Sequence, residues 1–267
     1  MNTPRRRPQS RIGQPISRRS YLATSILVFV AIGLVWFVLT TSGIVSPIFL
    51  PSPGKVVSQL WTLALNGTLW DDLVASLYRI FVGFLIATAA AIPIGLMIGN
   101  FARWEAAIEP LVDFIRYMPV TAFVPLTILW TGTGDMQKFT IIFIGTFFQQ
   151  VLMVMDNVKR VPRDFIGLGR TLDLSDMQIL RRIVLPSAMP GIWDTVRITL
   201  GWSWTWLVLA ELVAATSGLG YRITVSQRYF QTGTIIGYIL LLGFLGLIAD
   251  QVMKALGKRL FRQDTQH

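Results

Sequence analysis

Cysteine is absent from the 267 residues, and the only histidine is His267 at the C-terminus. Disulfides, thiolate metal sites, cysteine nucleophiles and histidine-based catalytic triads are excluded together. The 14 acidic residues do not cluster, which leaves little basis for a carboxylate-only metal site. Charge of any sign is scarce. Charged residues form 14% of the chain against 53% hydrophobic, where a soluble domain carries about 25% charge. Such a chain has more apolar surface than it can bury alone. The phosphate-loop pattern G-x-x-x-x-G-K-[ST] is missing too. Gly54-Lys55 and Gly257-Lys258 are followed by Val56 and Arg259, and neither has the upstream glycine.

Long apolar runs are plentiful. A membrane helix needs about 20 mostly apolar residues. Six spans are expected, over about 21–41, 75–99, 107–130, 139–155, 188–215 and 234–256. The third holds Arg116, Pro119 and Pro125, so its first turns are expected near the cytoplasmic interface or broken. Basic residues exceed acidic ones by 24 to 14, a formal +10. They gather at the chain ends and in two connecting loops, which is the positive-inside pattern and not a nucleic-acid surface. Arg5, Arg6, Arg7, Arg11, Arg18 and Arg19 place the N-terminus inside. Arg103 and the loop 157–186 follow on the same side, and Lys254, Lys258, Arg259 and Arg262 hold the C-terminus there. Ser17-Arg18-Arg19-Ser20-Tyr21-Leu22 resembles a twin-arginine signal. The apolar run behind it is long, carries Trp36 and Phe37 and lacks a small-x-small cleavage site, which favours a basic anchor before a first span.

Outside, Leu50-Pro51-Ser52-Pro53-Gly54 reads as a turn opening a short helix. Trp61 and Trp70 suit the external headgroup level; contact with an external protein is the alternative. In the second span Ala87, Ala91, Gly95 and Gly99 form a small-x-x-x-small stripe for close helix packing, and Pro93 is placed to kink that helix.

The loop 157–186 reads NVKRVPRDFIGLGRTLDLSDMQILRRIVLP. At about thirty residues it is long for a compact domain. Pro162 suits a first helical position. Phe165, Leu168 and Leu172 then fall at i, i+3 and i+7, on one face. Asp173-Leu174 interrupts the run. Ser175 and Gln178 form a capping-box pattern that starts a second helix, which Met177, Leu180 and Val184 continue. Pro186 and Pro190 mark the boundary with the fifth span. The pattern is two short amphipathic helices at an angle. It fits equally an interfacial pair lying on lipid headgroups and a knob that docks in another protein's groove.

Here the chain resembles a known family. The segment 167–186 is similar to the cytoplasmic "EAA" loop of permease subunits of binding-protein-dependent ABC importers, with the pattern Glu-Ala-Ala-x-x-x-Gly ahead of Ile-x-Leu-Pro. Ile183, Leu185 and Pro186 match its end. Gly167, Leu168 and Gly169 replace Glu-Ala-Ala, and Asp173 replaces the central glycine. Leu50-Pro-Ser-Pro53, Ser76-Leu-Tyr-Arg79 with Gly83, Arg116-Tyr-Met-Pro119 with Pro125, and Glu211 followed by Ser217-Gly-Leu-Gly-Tyr221 resemble the nitrate/sulfonate/taurine subgroup, which also includes bicarbonate carriers.

The resemblance implies an all-α integral membrane protein of six transmembrane helices with a cytoplasmic coupling-helix loop, the type I ABC importer permease. It implies a bacterial inner-membrane location, a basic cytoplasmic tail over 1–20, a permease domain over 21–260 and a C-terminal tail over 261–267. The partners implied are a second permease copy in a homodimer, cytoplasmic ATP-binding subunits, a periplasmic solute-binding protein and membrane lipid. No cofactor and no catalytic residue is expected, since ATP hydrolysis belongs to the partner subunits. Contact with those subunits is expected from Arg163, Asp164, Phe165, Leu168 and Arg170 on the first short helix. Leu172 and Asp173 at the turn, and Met177 and Arg181 on the second, complete that set.

Charges at membrane depth usually face protein or water. Arg79 is expected to snorkel from the external start of the second span. Arg116 has Asp113 as a partner, and Arg197 has Asp194. An anion path favours arginine for its fork of donors, which makes Arg116 and Arg197 pathway candidates, with Thr127, Thr131, Ser203 and Thr205 as neutral donors. Glu211 is expected to hold the 217–221 turn by hydrogen bonds. Two other classes compete. A membrane-embedded enzyme would need a nucleophile or acid–base cluster, and none is visible. A stand-alone channel or secondary transporter would be supported by an inverted repeat, and none is visible.

Overall fold

The computed structural model describes residues 16–261, and these are helical with no strand. Arg5, Arg6, Arg7 and Arg11 of the N-terminal tail, and Arg262 at the other end, lie outside the described residues. In chain order the helices are α1 (Arg18–Thr41), α2 (Pro53–Leu65), α3 (Thr68–Asn100), α4 (Ala102–Arg116), α5 (Val120–Thr131), α6 (Asp135–Lys159), α7 (Arg163–Thr171) and α8 (Asp176–Ile179). A π turn (Leu180–Val184) then leads into α9 (Leu185–Ala214), α10 (Leu219–Arg228) and α11 (Thr232–Leu260). In hydrocarbon each backbone N–H and C=O must be satisfied within its own segment, which helices accomplish. Among the described residues, four helices are long and apolar enough to cross a membrane, and the number rises to six where each of two bent pairs counts as one span.

Two of the expected spans differ from a straight helix. The third is broken: α4 and α5 meet at 97°. Pro119 caps α5 with ψ 122, and a proline disfavours the helical region for the residue before it, so α4 ends at Arg116. Pro110 and Pro125 sit inside helices without ending them. The fifth span has the opposite character. Pro186 stands in the first turn of α9, as expected of the entry to the span, and Pro190 lies inside it, but the chain does not leave the helix there: α8, the π turn and α9 run on continuously from Asp176 to Ala214. The wide turn before Pro186 takes up the disturbance, with the Leu185 N–H donating to the Leu180 carbonyl.

The core is where α3, α6 and α9 meet. The expected small-residue stripe on α3 lies against α6: Ala87 and Ala91 are fully buried. A Cβ on Gly95 would sit 2.7 Å from both the Val151 carbonyl and Val154, and one on Gly99 would sit 2.8 Å from Val158. Dispersion and close approach hold helices together where no water is available to drive burial, so side chains at these positions would push α3 off α6. On the far side, α2 lies along α11, with Val56 buried and Leu60 filling the space over Gly237. Trp61 and Trp70 stay exposed. From Arg19 onward no residue of α1 is buried; Trp36 Nε1 ties it to the Pro51 carbonyl at 3.0 Å.

A polar network closes one end of the bundle. Arg79 is 6% exposed and does not snorkel. Its Nε donates to Asp135 Oδ1 at 2.6 Å, and its Nη1 donates to Glu211 Oε1 at 2.9 Å and to the Ser217 carbonyl at 2.5 Å. Glu211 has the expected part: its Oε2 accepts the Gly220 N–H at 2.9 Å, and its Oε1 accepts the Ser76 hydroxyl at 2.8 Å. Asp72 accepts from the Gly218 N–H at 3.0 Å, from Arg222 Nε at 2.7 Å and from the Tyr238 hydroxyl at 3.0 Å. Lys138 donates to the carbonyls of Thr133, Gly134 and Ala214. Removing one member of a buried ion pair strands the other and costs about 3–5 kcal/mol. Arg79→Met is therefore expected to lower stability by about that amount, read from unfolding in detergent micelles. Arg79→Met combined with Glu211→Met should cost less than the two changes summed. A snorkelling arginine would show only a few tenths of a kcal/mol.

Candidate functional site

The loop 157–186 folds as a platform of α7, α8 and the π turn. Val158, Val161, Ile179, Val184, Ala188 and Ile192 form one apolar cluster with Val154, which fastens the platform to α6 and α9. Ile166 packs against that cluster from α7. Gly169 brings α7 close to the second helix, since a Cβ there would meet Ile183 at 2.7 Å and Ile179 at 3.0 Å. The inward face of α7 is thus Ile166 and Gly169. Phe165, Leu168 and Leu172 share an adjoining face and point outward, 49%, 59% and 65% exposed, and Met177 joins them at 51%. Arg163, Asp164, Arg170, Asp173 and Arg181 are exposed around this apolar patch. All nine expected contact residues therefore lie on the platform's outer surface.

The turn between the helices is a Schellman motif. The Leu174 N–H reaches the Gly169 carbonyl at 3.1 Å, and the Asp173 N–H reaches the Arg170 carbonyl at 3.1 Å. Asp173 has φ 53, the left-handed conformation that glycine adopts without penalty. The expected capping box is formed: Ser175 Oγ accepts the Gln178 N–H at 3.4 Å, and Gln178 Oε1 accepts the Ser175 N–H at 2.8 Å. Pro162 stands one position earlier than expected, as the cap of α7.

The pathway candidates do not share one surface. Arg116 ends α4 at the break, with Nε 2.9 Å from Asp113 Oδ1 and Nη2 donating to the Tyr117 hydroxyl at 3.0 Å. It lines a cavity of about 280 Å³ together with Gln149, Trp202 and Trp206. The Trp206 indole N–H is buried without a hydrogen-bond partner. Arg197 is paired twice: Nη1 lies 3.3 Å from Asp250 of α11, and Nε lies 3.4 Å from the expected Asp194. Thr127 is fully buried and donates to the Val124 carbonyl at 2.8 Å. Ser203 is fully buried, donates to the Thr199 carbonyl at 2.9 Å and shares a hydrogen bond with Thr146 at 3.0 Å. Thr205 is exposed in an apolar groove between α9 and α11, beside Trp204 and Leu242.

Several ordering residues were missed from sequence. Asp72, Lys138 and Arg222 carry the polar network, and Asn157 donates to Thr195 Oγ1 at 2.8 Å where Gly191 lets α9 approach. A signal for the first existed: Asp72, Ser76 and Arg79 fall at i, i+4 and i+7, one polar stripe on α3. For Asp173 the geometry sets an expectation. Asp173→Gly should stabilise the protein by about 1 kcal/mol and Asp173→Val should destabilise it by more, seen as opposite shifts of the thermal unfolding midpoint.

Residues 91–262 match the family of binding-protein-dependent transport system inner membrane components. A Brucella melitensis protein described as a "probable ABC transporter permease protein" is 38% identical over 245 residues, covering 91% of this chain and 98% of the relative. The taurine transport system permease protein of Escherichia coli is 32% identical over 251 residues, covering 92% and 90%. Among solved structures, the inward-facing MetNI methionine ABC transporter shares the fold with a TM-score of 0.61, over 76% of this chain and 96% of that one, at 22% identity. A chain whose described residues fold into spans, a broken third span and a two-helix platform at these positions belongs to the binding-protein-dependent ABC importer permeases, integral membrane proteins of the type I fold.

Proposed function

We infer that the chain forms the translocation pathway of an ATP-driven importer for a small anion of the taurine, sulfonate or nitrate class. One observation supports this most strongly: the apolar face of α7 and Met177 of α8 are turned away from the protein on a platform fastened to two spans. An apolar helix face rimmed by charge suits a groove in a partner. The chain has no phosphate loop of its own, so uphill transport draws on ATP-binding subunits docked at that platform. A second copy of the chain completes the pathway as a homodimer, and an external binding protein delivers the solute at the opposite end. The platform and both termini lie on the cytoplasmic side of a bacterial inner membrane, in keeping with the placement of the basic residues.

The solute class rests on the taurine relative and on chemistry at the α4–α5 break. The guanidinium of Arg116 borders a cavity with Gln149 and the Trp202 and Trp206 rings. Arginine offers several donors in a plane, matched to sulfonate or nitrate oxygens. Its pairing with Asp113 uses Nε and leaves part of the fork available.

Two measurements test this reading. Leu172→Asp combined with Met177→Asp should abolish co-purification of the ATP-binding subunits, which wild-type protein retains. Persisting association overturns docking through these two residues, and uptake that needs no ATP points instead to a stand-alone channel or secondary transporter. Arg116→Gln should lower ATP-dependent uptake at saturating solute by roughly tenfold, the loss expected from one charge-assisted hydrogen bond; unchanged transport removes Arg116 from the pathway.

A further inference from the structure

The end of the bundle that carries the platform has a second polar feature, away from α7 and α8. Between the first turns of α9 and the last turns of α11 lies a cavity of about 350 Å³. Arg197, Lys254 and Lys258 bring three cations to its lining, and Pro190, Trp193 and Phe261 make its apolar part. The wall is pinned. Trp193 Nε1 donates to the Met253 carbonyl at 3.0 Å, and its ring lies so close to Gly257 that a Cβ there would sit 2.6 Å from Nε1. The ring centres of Trp193 and Phe261 are 6.2 Å apart.

The charges are unevenly matched. Lys254 Nζ lies 2.7 Å from Asp250 Oδ2, and Arg197 Nη1 lies 3.3 Å from Asp250 Oδ1, so two cations share one carboxylate. Asp194 is the other acid, 3.4 Å from Arg197 Nε and with its side chain 66% exposed. The Arg197 Nε is buried without a directed hydrogen bond. Lys258 makes no ion pair among the described residues. Three cations against two carboxylates leave a positive surplus beside an aromatic wall. Next to it the outer side of α11 is apolar, with Val252, Leu256 and Leu260 exposed.

We propose that this cavity is a binding site for the headgroup of an anionic phospholipid, with the phosphate held by Lys258, Lys254 and Arg197 and an acyl chain laid along α11. Depth favours lipid over a soluble anion. The site lies in the end turns of two spanning helices, where headgroups sit, and tryptophan is suited to that level. Basic pockets between spanning helices hold anionic headgroups on this principle. The site is independent of which solute the protein carries.

Native mass spectrometry of the purified importer in detergent tests it, with phosphatidylglycerol and phosphatidylcholine of matched chains as probes. Wild-type protein should retain phosphatidylglycerol in preference. Lys254→Gln with Lys258→Gln should lower its occupancy roughly tenfold, and arginine at both positions should restore it. Lys258→Gln alone breaks no ion pair among the described residues and gives the reading should the double variant fail to fold. Lys159→Gln, a basic residue at the same end but outside the cavity, should retain the lipid. Equal retention by the glutamine variants, equal loss in Lys159→Gln, or displacement of the lipid by inorganic phosphate would overturn the proposal.

Discussion

Arg79 is the constraint around which the bundle closes. A guanidinium inside an apolar assembly is tolerable only where protein acceptors surround it, and here those acceptors come from separate parts of the chain. Asp135 is in the first turn of α6, Glu211 near the end of α9, and Ser217 in the turn before α10. No subset of these elements satisfies the charge, so α3, α6, α9 and the 217–221 turn must assemble together. Asp72 extends the same polar stripe of α3 to α10 and α11 through Arg222 and Tyr238. Gly218, at φ 116, leaves room that a side chain would take from Glu211 and Arg79. The glycine turn is thereby part of the charge balance and not just a connection.

With the polar end set in register, the glycine contacts at the other end follow. Successive residues of a helix are turned by about 100° and raised by 1.5 Å, so sliding α3 by one residue would bring Leu96 to the place where Gly95 meets Val154. The polar end thus locks the end that holds the platform. The platform itself is anchored to α6 and α9 through Val158, Ile179 and Ile192. Between it and the body of α9, Pro186 and Pro190 each remove one backbone donor, and the π turn leads into this stretch. This part of the helix is held by fewer backbone bonds than an unbroken run. A tilt of the platform costs least there, while the apolar cluster keeps it from detaching.

What could be read from sequence was what is local. The Ser175–Gln178 box and the Asp113–Arg116 and Asp194–Arg197 neighbours lie within a turn, the small-residue stripe repeats every four residues along the one helix α3, and all are present. The failures are long-range. Nothing near Arg79 in the chain announces Asp135 or Glu211, and nothing near Arg197 announces Asp250. The pathway candidates were chosen by residue type along spans. A buried hydroxyl such as Thr127 or Ser203 serves its own helix as readily as a cavity, and type alone does not separate the two.

The platform shows the same limit in a different form. Periodicity identified Phe165, Leu168 and Leu172 as one face, which is correct, but a period does not say which way a face points. On a helix packed against its own protein the apolar stripe goes inward. Here a glycine decides otherwise. Gly169 lies on the strip of α7 next to the leucines and permits an approach to Ile179 and Ile183 that a larger residue would block. The backbone-close side therefore faces the core, and the leucines are left outside. The Asp173 turn then carries the chain into α8 so that Met177 joins the same outer surface. An apolar surface of this kind is costly in water and is retained only where something covers it. On a platform this firmly held, a partner that covers it gains a rigid grip on α6 and α9.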